Sequence, residues 1–259
     1  MPIKSNRNSF NIKVNQIVLN PSSIACILGA GAFLLVLASI GGQLTAYLTE
    51  YDHIYVRKLI WYLYVDAERN IPTGFSTLLL LFAALLLAII TILEKQNNFP
   101  TLHWASLSCG FLLMAADEAW SFHEKLIQPV RELLGDDNLG IFYFAWVIPG
   151  IALLTILAPF FLRFLRCLPA KIRFSFMTAA TLYIGGAIGV ELFGGRFAEL
   201  HGTLNLTYSM FTTVEESLEM GGAIMFIWTL LTYIAINYKE VQFQFKGVRG
   251  SNSRRSLRL

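Results

Sequence analysis

Charged residues are scarce in this sequence and are missing altogether from three long stretches. Only 14% of the 259 residues are Asp, Glu, Lys or Arg, whereas a soluble domain carries roughly 25%. The uncharged stretches run between Lys13 and Glu50, between Arg69 and Glu94, and between Asp137 and Arg163. Each is long enough to cross a hydrocarbon core of about 30 Å, which takes about 20 helical residues. The composition therefore excludes an ordinary soluble domain and predicts a protein embedded in lipid.

Cysteine is also rare, and its spacing excludes a disulfide framework. The three residues Cys26, Cys109 and Cys167 form no closely spaced motif, so we expect reduced thiols.

A cleaved signal peptide is not expected either. The apolar run that follows the polar N-terminal segment exceeds the 7–15 residues of a signal-peptide core, and this run is interpreted as an uncleaved anchor.

Six apolar segments predict an all-α polytopic membrane protein. The expected spans are residues 23–48, 73–93, 102–123, 140–162, 174–195 and 214–237, all helical because a spanning segment must satisfy its own backbone groups. They divide the chain into a cytoplasmic segment 1–22, a transmembrane domain 23–238 and a basic tail 239–259 that we expect to be disordered. Fourteen of the twenty Lys and Arg residues lie on the side of the termini. The positive-inside rule then predicts cytoplasmic termini in the inner (plasma) membrane.

Acidic residues have the opposite distribution. Of seventeen Asp and Glu residues, only Glu94 and Glu240 fall on the predicted inner side. The positive-inside rule concerns Lys and Arg, so this asymmetry needs a separate cause. Several of these acids lie inside spans, where a carboxylate costs about 2.5–3.5 kcal/mol unless it faces a partner or a water-filled cavity.

A bound metal ion is the expected cause, because it supplies positive charge that the few outer basic residues cannot. Carboxylates with one or two imidazoles suit Fe or Mn, with Zn as a further choice. Two ordinary interpretations stay open, namely helix capping at Thr212–Glu216 and interfacial acids. The weaker candidates are Glu68, Glu199 and His201. The candidate ligands are Asp117, Glu118, His123, Glu124, Glu191, Glu215, Glu216 and Glu219.

Helical spacing limits how these side chains meet. The three glutamates of segment 215–219 share one 100° sector, so they can point at one centre. An unbroken helix cannot do the same for the acids and the histidine of segment 117–124. Either the helix unwinds near Phe122, or His123 orients a carboxylate instead of binding metal. Gly221 and Gly222 follow Glu219 and predict that the third and sixth spans pack closely at their outer ends.

Three motifs together resemble a family of uncharacterised bacterial multi-pass membrane proteins, over residues 60 to 235. The resemblance implies that these positions act as a set, and it names no reaction. Asp117 and the Ser121-Phe-His123 order are also similar to ceramidase-type membrane hydrolases, which have seven spans and a His-x-x-x-His pair that this chain lacks. The three motifs are Glu68-Arg-Asn-Ile-Pro-Thr73-Gly-Phe-Ser76, Asp117-Glu-Ala-Trp-Ser-Phe-His-Glu124 and Glu215-Glu-Ser-Leu-Glu-Met-Gly221.

Three classes of function follow from these residues. The favoured one is an intramembrane metalloprotein, for example an enzyme acting on a lipid or quinone substrate in the outer leaflet. The second is a proton- or cation-coupled transporter or sensor, although the inner halves of the spans lack ionisable groups other than His103. The third is a structural or pigment-binding subunit of a larger membrane complex. The lipid bilayer is the expected partner, assembly into an oligomer is compatible with the sequence, and nothing indicates nucleic-acid binding.

Overall fold

Helices account for nearly all of the chain that the computed structural model describes, which is residues 20–49, 54–135 and 138–238. A π-helical segment, Gly185–Val190, joins α7 to α8 without a break. Most of the predicted cytoplasmic segment and the whole basic tail, 239–259, lie outside the described residues. The helices are α1 Pro21–Thr49, α2 Ile54–Leu63, α3 Ile71–Gln96, α4 Leu102–Trp120, α5 Ile127–Leu134, α6 Val147–Cys167, α7 Ala170–Ile184, α8 Glu191–His201 and α9 Leu206–Asn237.

Five helical stretches among the described residues are long and apolar enough to cross a membrane. The prediction of an all-α membrane protein is confirmed to that extent. The helix α4, with 19 residues, is long enough to cross a membrane. It is not apolar enough to be counted with these five, because it contains His103, Asp117 and Glu118. The sixth span therefore stays a prediction. The five stretches are Pro21–Leu48, Ile71–Gln96, Val147–Cys167, Ala170–His201 and Leu206–Asn237.

Two asparagine caps fix where the long helices α3 and α9 begin. The Asn70 side chain accepts a hydrogen bond from the Thr73 N–H at 3.1 Å, and Asn205 accepts one from the Tyr208 N–H at 2.9 Å. Such caps satisfy backbone donors that the first turn leaves free. The cap at Asn205 starts α9 eight residues before the predicted span, so its acids lie well inside a helix and not at its first turn.

The helix α9 occupies the centre of the bundle and packs against α1, α3 and α7, while α4 lies along α3. The side chains of Leu87, Ile90, Ile227 and Leu230 are fully buried between α3 and α9. They belong to the end of the bundle that carries Glu94, called here the Glu94 end. The opposite end, which carries Asp117, Glu118, Glu191 and the glutamates of α9, is called the acidic end.

The closest approach of α9 is to α7 and not to α4. A Cβ atom added at Gly222 would lie 2.7 Å from the backbone nitrogen of Tyr183, whereas one added at Gly221 would meet open space. The prediction that these glycines bring the third and sixth spans into close backbone contact is therefore wrong. The missing side chain at Gly222 lets α7 approach α9 closely, whereas α4 meets α9 only through longer side chains.

Candidate functional site

The chain bends directly after α4 and brings Asp117 and His123 together. The helix ends at Trp120, and Ser121 takes a left-handed conformation with φ of 49°. The His123 backbone N–H then donates to Oδ1 of Asp117 at 2.8 Å, and ring Nδ1 lies 2.7 Å from Oδ2. The helix thus unwinds near Phe122, which was one of the two alternatives. The second contact orients the imidazole and the carboxylate toward each other.

The Asp117–His123 pair controls the charge of the imidazole. Burial lowers the pKa of His123, but the hydrogen bond from Asp117 and its negative charge act in the opposite direction and together raise it above its ordinary value. Both side chains keep about a third of their surface exposed, 33% for His123 and 35% for Asp117. The pair is therefore reachable from outside the bundle.

A second carboxyl pair, Glu68 and Glu124, lies beside the same bend. The Glu68 carboxyl faces the Ser121 hydroxyl and the Glu124 carboxyl, and these two contacts lower its pKa. Partial burial, followed by the neighbouring Glu68, raises the pKa of Glu124 to about 7. One proton is therefore shared between the two groups near neutral pH. Glu68, a weaker candidate from sequence, belongs to the mouth of the cluster.

A small cavity lies deeper, between α3, α4, α7 and α9. Glu118 and Glu219 both line it, and its volume of about 10 Å³ is close to that needed by one water molecule. The Tyr183 hydroxyl lies beside the Glu219 carboxyl. Ser76 is only 8% exposed, and its hydroxyl has no hydrogen-bond partner among the described residues. Apolar side chains complete the wall, namely Leu79, Leu80, Met220 and Ala223.

Glu118 and Glu219 meet because α4 and α9 face each other at intervals of seven residues. Seven residues are nearly two turns, so such positions share a helix face. Two aromatic pairs and one carboxyl pair result, so the alignment that brings aromatic rings into contact also brings two acids together. From the Glu94 end the pairs are Trp104–Tyr233 with ring centroids 4.8 Å apart, Phe111–Phe226 at 4.6 Å, and Glu118–Glu219 at the cavity.

The remaining acids gather where α9 meets the π-helical segment. Trp146 donates its indole N–H to Glu191 at 3.0 Å, and Glu191 also faces the Glu215 carboxyl. A Cβ atom at Gly186 would lie 2.8 Å from the Glu215 carbonyl oxygen and 3.1 Å from Cγ of Glu219. The absence of a side chain at Gly186 therefore lets the glutamates of α9 approach the π-helical segment.

Three basic side chains at the acidic end have partners away from the cavity, and a fourth, Arg69, lies within electrostatic reach of Glu68. Lys125 donates to the Trp120 carbonyl at 2.9 Å, and Arg131 donates to the Tyr143 carbonyl at 2.8 Å. Arg196 pairs with Glu199 at 2.6 Å, so Glu199 lies in a surface ion pair and not in the cluster. The other weak candidate, His201, stacks on Phe197 with ring centroids 4.5 Å apart.

The predicted metal ligands lie at one end of the bundle but do not converge on one point. Within the described residues, no group of three or more His, Cys, Asp or Glu side chains is arranged to hold a metal ion. The sequence patterns did not indicate Ser76, Tyr183 and Trp146, which are uncharged at neutral pH, and only Ser76 lies within one of the three motifs. The predicted ligands are divided into Asp117 with His123, Glu124 with Glu68, Glu191 with Glu215, and Glu118 with Glu219, while Glu216 lies within electrostatic reach of Glu118 and Glu219.

Comparison with known proteins identifies a family without an assigned role. A family model described as Domain of unknown function (DUF8692) matches residues 25–234. The match covers most of the chain, so the protein belongs to that family. No curated protein and no solved structure matches it.

Proposed function

We propose that this member of the DUF8692 family binds a cation within the membrane, at the carboxyl groups of its acidic end. The cavity shared by Glu118, Glu219 and Ser76 is the observation that carries this proposal. Two carboxylates that face each other in a medium of low dielectric cannot both ionise without a positive charge between them. None of the residues that line the cavity is Lys or Arg, so the charge comes from a proton or a metal ion.

The Ser76 hydroxyl supports a ligand in the cavity. A buried hydroxyl without a hydrogen-bond partner costs free energy, and native proteins satisfy nearly all such groups with protein, water or an ion. The polar side chains that line the cavity are those of Glu118, Glu219, Ser76 and Tyr183, and each of them ends in oxygen. Such a set suits a hard divalent ion such as Mn²⁺ or Mg²⁺ better than Fe or Zn, because the imidazole of His123 is held by Asp117. A proton occupies the pair until a divalent ion replaces it.

The site belongs to a chain with six crossings and its acidic end outside. The 19 residues of α4 span about 28 Å at 1.5 Å per residue, and Glu118 faces the cavity and not lipid. By the positive-inside rule, the termini and the Glu94 end lie on the cytoplasmic side of the plasma membrane. Labelling of Cys167, with Cys26 and Cys109 replaced by Ala, tests this orientation. An impermeant maleimide should react with Cys167 only after the membrane is opened. Reaction in sealed cells would show that the topology is the opposite one.

A site reached from one side favours a membrane enzyme or a sensor over a transporter. The Glu94 end of the α3–α9 interface is closed by Leu87, Ile90, Ile227 and Leu230, none of them exposed by more than 2%. Of these two functions, the partly exposed Asp117–His123 pair supports the enzyme. It holds an imidazole whose second ring nitrogen can move a proton for a membrane-soluble substrate.

Metal content and thermal stability of the detergent-purified protein test the proposal. We expect wild-type protein dialysed against Mn²⁺ to retain the ion and to unfold at a higher temperature, because a ligand that binds only the native state stabilises it. Glu219→Gln should lose both effects. The matched control is Glu94→Gln, which removes a buried carboxyl 18 residues further along α3 than the cavity residue Ser76 and should keep both effects.

The same measurements on wild type and Glu219→Gln distinguish a proton from a metal ion in the cavity. If only protons occupy the pair, Glu219→Gln is neutral or stabilising and no divalent ion changes the unfolding temperature of either protein. A Glu219→Gln variant that still binds Mn²⁺ as wild type does would refute the cavity as the site.

A further inference from the structure

The turn between α6 and α7 carries four basic residues and no acidic residue. The helix α6 ends at Cys167 and α7 begins at Ala170, so only Leu168 and Pro169 separate them. Along the helix axes, each of the four lies within about 6 Å of the turn at 1.5 Å per residue. Their charges therefore lie at one level of the bundle surface. The four residues, called here the basic turn, are Arg163, Arg166, Lys171 and Arg173.

Aromatic packing fixes the basic turn at the Glu94 end of the bundle. The buried Phe164 ring meets the Trp104 ring edge to face, with centroids 4.9 Å apart, and lies 6.5 Å from the Phe176 ring of α7. Trp104 in turn contacts the Tyr233 ring at 4.8 Å, and the Tyr233 hydroxyl donates to the Glu94 carboxyl. The last turn of α6 is thus held next to the first turns of α7.

The four charges have no counter-charge within the described part of the chain. The ion pairs between described residues lie at the acidic end. Glu94 is the only acid that the described residues supply at this end, and its buried carboxyl accepts the hydroxyls of two tyrosines. Arg163, Arg166 and Lys171 are exposed, whereas Arg173 is half-buried and lies over the Phe174 ring. The basic turn is therefore a surface that favours an anion from outside the chain.

Apolar side chains beside the basic turn define how deep its charges lie. Leu162 is 49% exposed and Phe174 is 62% exposed, and each directly precedes or follows a basic residue. Both belong to helical stretches that are long and apolar enough to cross a membrane, so their side chains face hydrocarbon. Arg and Lys side chains extend from such positions to the headgroups. The charges of the basic turn therefore lie at the level of lipid phosphate groups.

We propose that the basic turn binds the phosphate headgroup of an anionic phospholipid in the leaflet at the Glu94 end. The phosphate lies among the guanidinium and ammonium groups, and the acyl chains lie along Leu162 and Phe174. Guanidinium groups bind phosphate oxygens through paired hydrogen bonds, and basic groups between spanning helices are a typical site for anionic headgroups. A zwitterionic headgroup brings a positive charge of its own to these residues, so charge complementarity selects the anionic lipid. Cation binding at the acidic end is not required for it.

A bound headgroup should strengthen the attachment of α6 to the bundle. Within α6 only Val147 and Phe164 are buried, so few contacts hold this helix. The basic side chains of α6 and α7 repel one another across a turn of two residues, and a phosphate between them replaces this repulsion with attraction. We therefore expect anionic lipid to raise the unfolding temperature of the protein, since a ligand that binds only the native state stabilises it.

Native mass spectrometry and thermal unfolding of the full-length protein in detergent test this site. The probes are phosphatidylglycerol and phosphatidylcholine with identical acyl chains, together with glycerol phosphate as a soluble phosphate. We expect wild type to retain phosphatidylglycerol in preference to the other two and to unfold at a higher temperature in its presence. The double variant Arg163→Gln with Arg166→Gln should bind phosphatidylglycerol about 30-fold more weakly, because each basic residue near an anionic lipid surface contributes about fivefold.

The control removes the same number of charges elsewhere. Lys58→Gln with Lys95→Gln changes two exposed lysines, one on α2 and one on α3, and should bind phosphatidylglycerol as wild type does. Equal retention of the two lipids would contradict an anionic headgroup, and equally tight binding of glycerol phosphate would show a site for free phosphate instead. Equal losses in the two double variants would mean that net charge, and not the basic turn, determines binding. Unchanged binding by the arginine variant would refute the site.

Discussion

Two buried carboxyl groups, one at each end of the bundle, are held in opposite ways. Glu94 is 6% exposed and accepts hydrogen bonds from the hydroxyls of Tyr233 and Tyr238. No second acid lies beside it among the described residues that line this contact. Glu219 faces Glu118 across a cavity that also contains the unpartnered hydroxyl of Ser76. The first arrangement is complete without a ligand, and the second is not.

The comparison shows why burial of an acid does not by itself indicate a binding site. A lone carboxyl with two hydroxyl donors connects α3 to α9, and its role is accounted for by these hydrogen bonds. Several carboxyls that face one another repel unless a cation or protons intervene. Equivalent substitutions at the two ends should therefore change the stability of the protein differently.

The largest effect is expected at the backbone contact that supports the acidic end. In Gly222→Ala, the new Cβ lies 2.7 Å from the Tyr183 nitrogen, and the backbone must shift, which typically costs about 1–3 kcal/mol. Gly221→Ala adds a methyl group to open space on the same helix and should gain up to about 1 kcal/mol. Reversible unfolding in mixed micelles measures both variants. Equal stabilities would mean that α7 and α9 are not in contact here.

The next effect concerns the hydrogen bonds of Glu94. Tyr233→Phe removes one donor from a buried carboxyl and should lower the free energy of unfolding by about 1–3 kcal/mol. In the absence of divalent ions, Glu219→Gln should be neutral or stabilising, because it removes one of two facing acids. The same unfolding measurement, made in chelator, compares the two variants. If Glu219→Gln is destabilised as much as Tyr233→Phe under these conditions, the two ends do not differ as described.

The pH dependence of stability should come from the mouth of the acidic end. The folded-state pKa of Glu124 is raised to about 7 by burial and by Glu68, so the folded protein holds this proton more tightly than the unfolded chain. Stability from this group is complete below about pH 4.5 and is lost as pH rises toward 7. Glu68 has a lowered pKa, and its contribution is lost only at more acidic pH. Unfolding temperatures from pH 4 to 8 should vary less in Glu124→Gln, and an unchanged profile would contradict the shared proton.

The smallest effect separates a satisfied hydroxyl from an unsatisfied one. Ser108 donates to the Ala84 carbonyl at 2.9 Å, so Ser108→Ala should cost about 1 kcal/mol. Ser76→Ala removes a hydroxyl without a partner and should change the stability by less than about 0.5 kcal/mol in chelator. In the presence of Mn²⁺, Ser76→Ala should show weaker stabilisation by the ion than Ser108→Ala does. If Mn²⁺ stabilises the two variants equally, the Ser76 hydroxyl does not contribute to binding the ion.

The sequence was sufficient for the five spanning stretches and for the gathering of the acids at one end of the bundle. Uncharged runs mark spanning helices because lipid excludes charge, and the asymmetry of the acids is visible without knowing any contact. The unwinding after α4 was one of two alternatives because helical geometry forbids Asp117 and His123 from meeting in an intact helix.

The pairing within the cluster was not predictable from these patterns. Whether Gly222 faces α4 or α7 depends on how helices are arranged around α9, which periodicity does not determine. Tyr183 carries no charge and occurs in an apolar run, so nothing in its neighbourhood distinguishes it from an ordinary span residue. Ser76 ends one of the three motifs, but it carries no charge that would mark it as part of the site. The sequence predicts a span at residues 102–123, but the acids and His103 make α4 less apolar than the five stretches that could cross a membrane.

Proton release on ion binding tests the central claim most directly. Titration calorimetry of Mn²⁺ into the purified protein, in two buffers of different ionisation enthalpy, counts the protons displaced by each bound ion. If Glu118 and Glu219 hold a proton that the ion replaces, wild type and Glu94→Gln should release protons as Mn²⁺ binds, and Glu219→Gln should neither bind the ion nor release protons. Binding of Mn²⁺ with the same heat in both buffers, or unchanged binding by Glu219→Gln, would contradict the account.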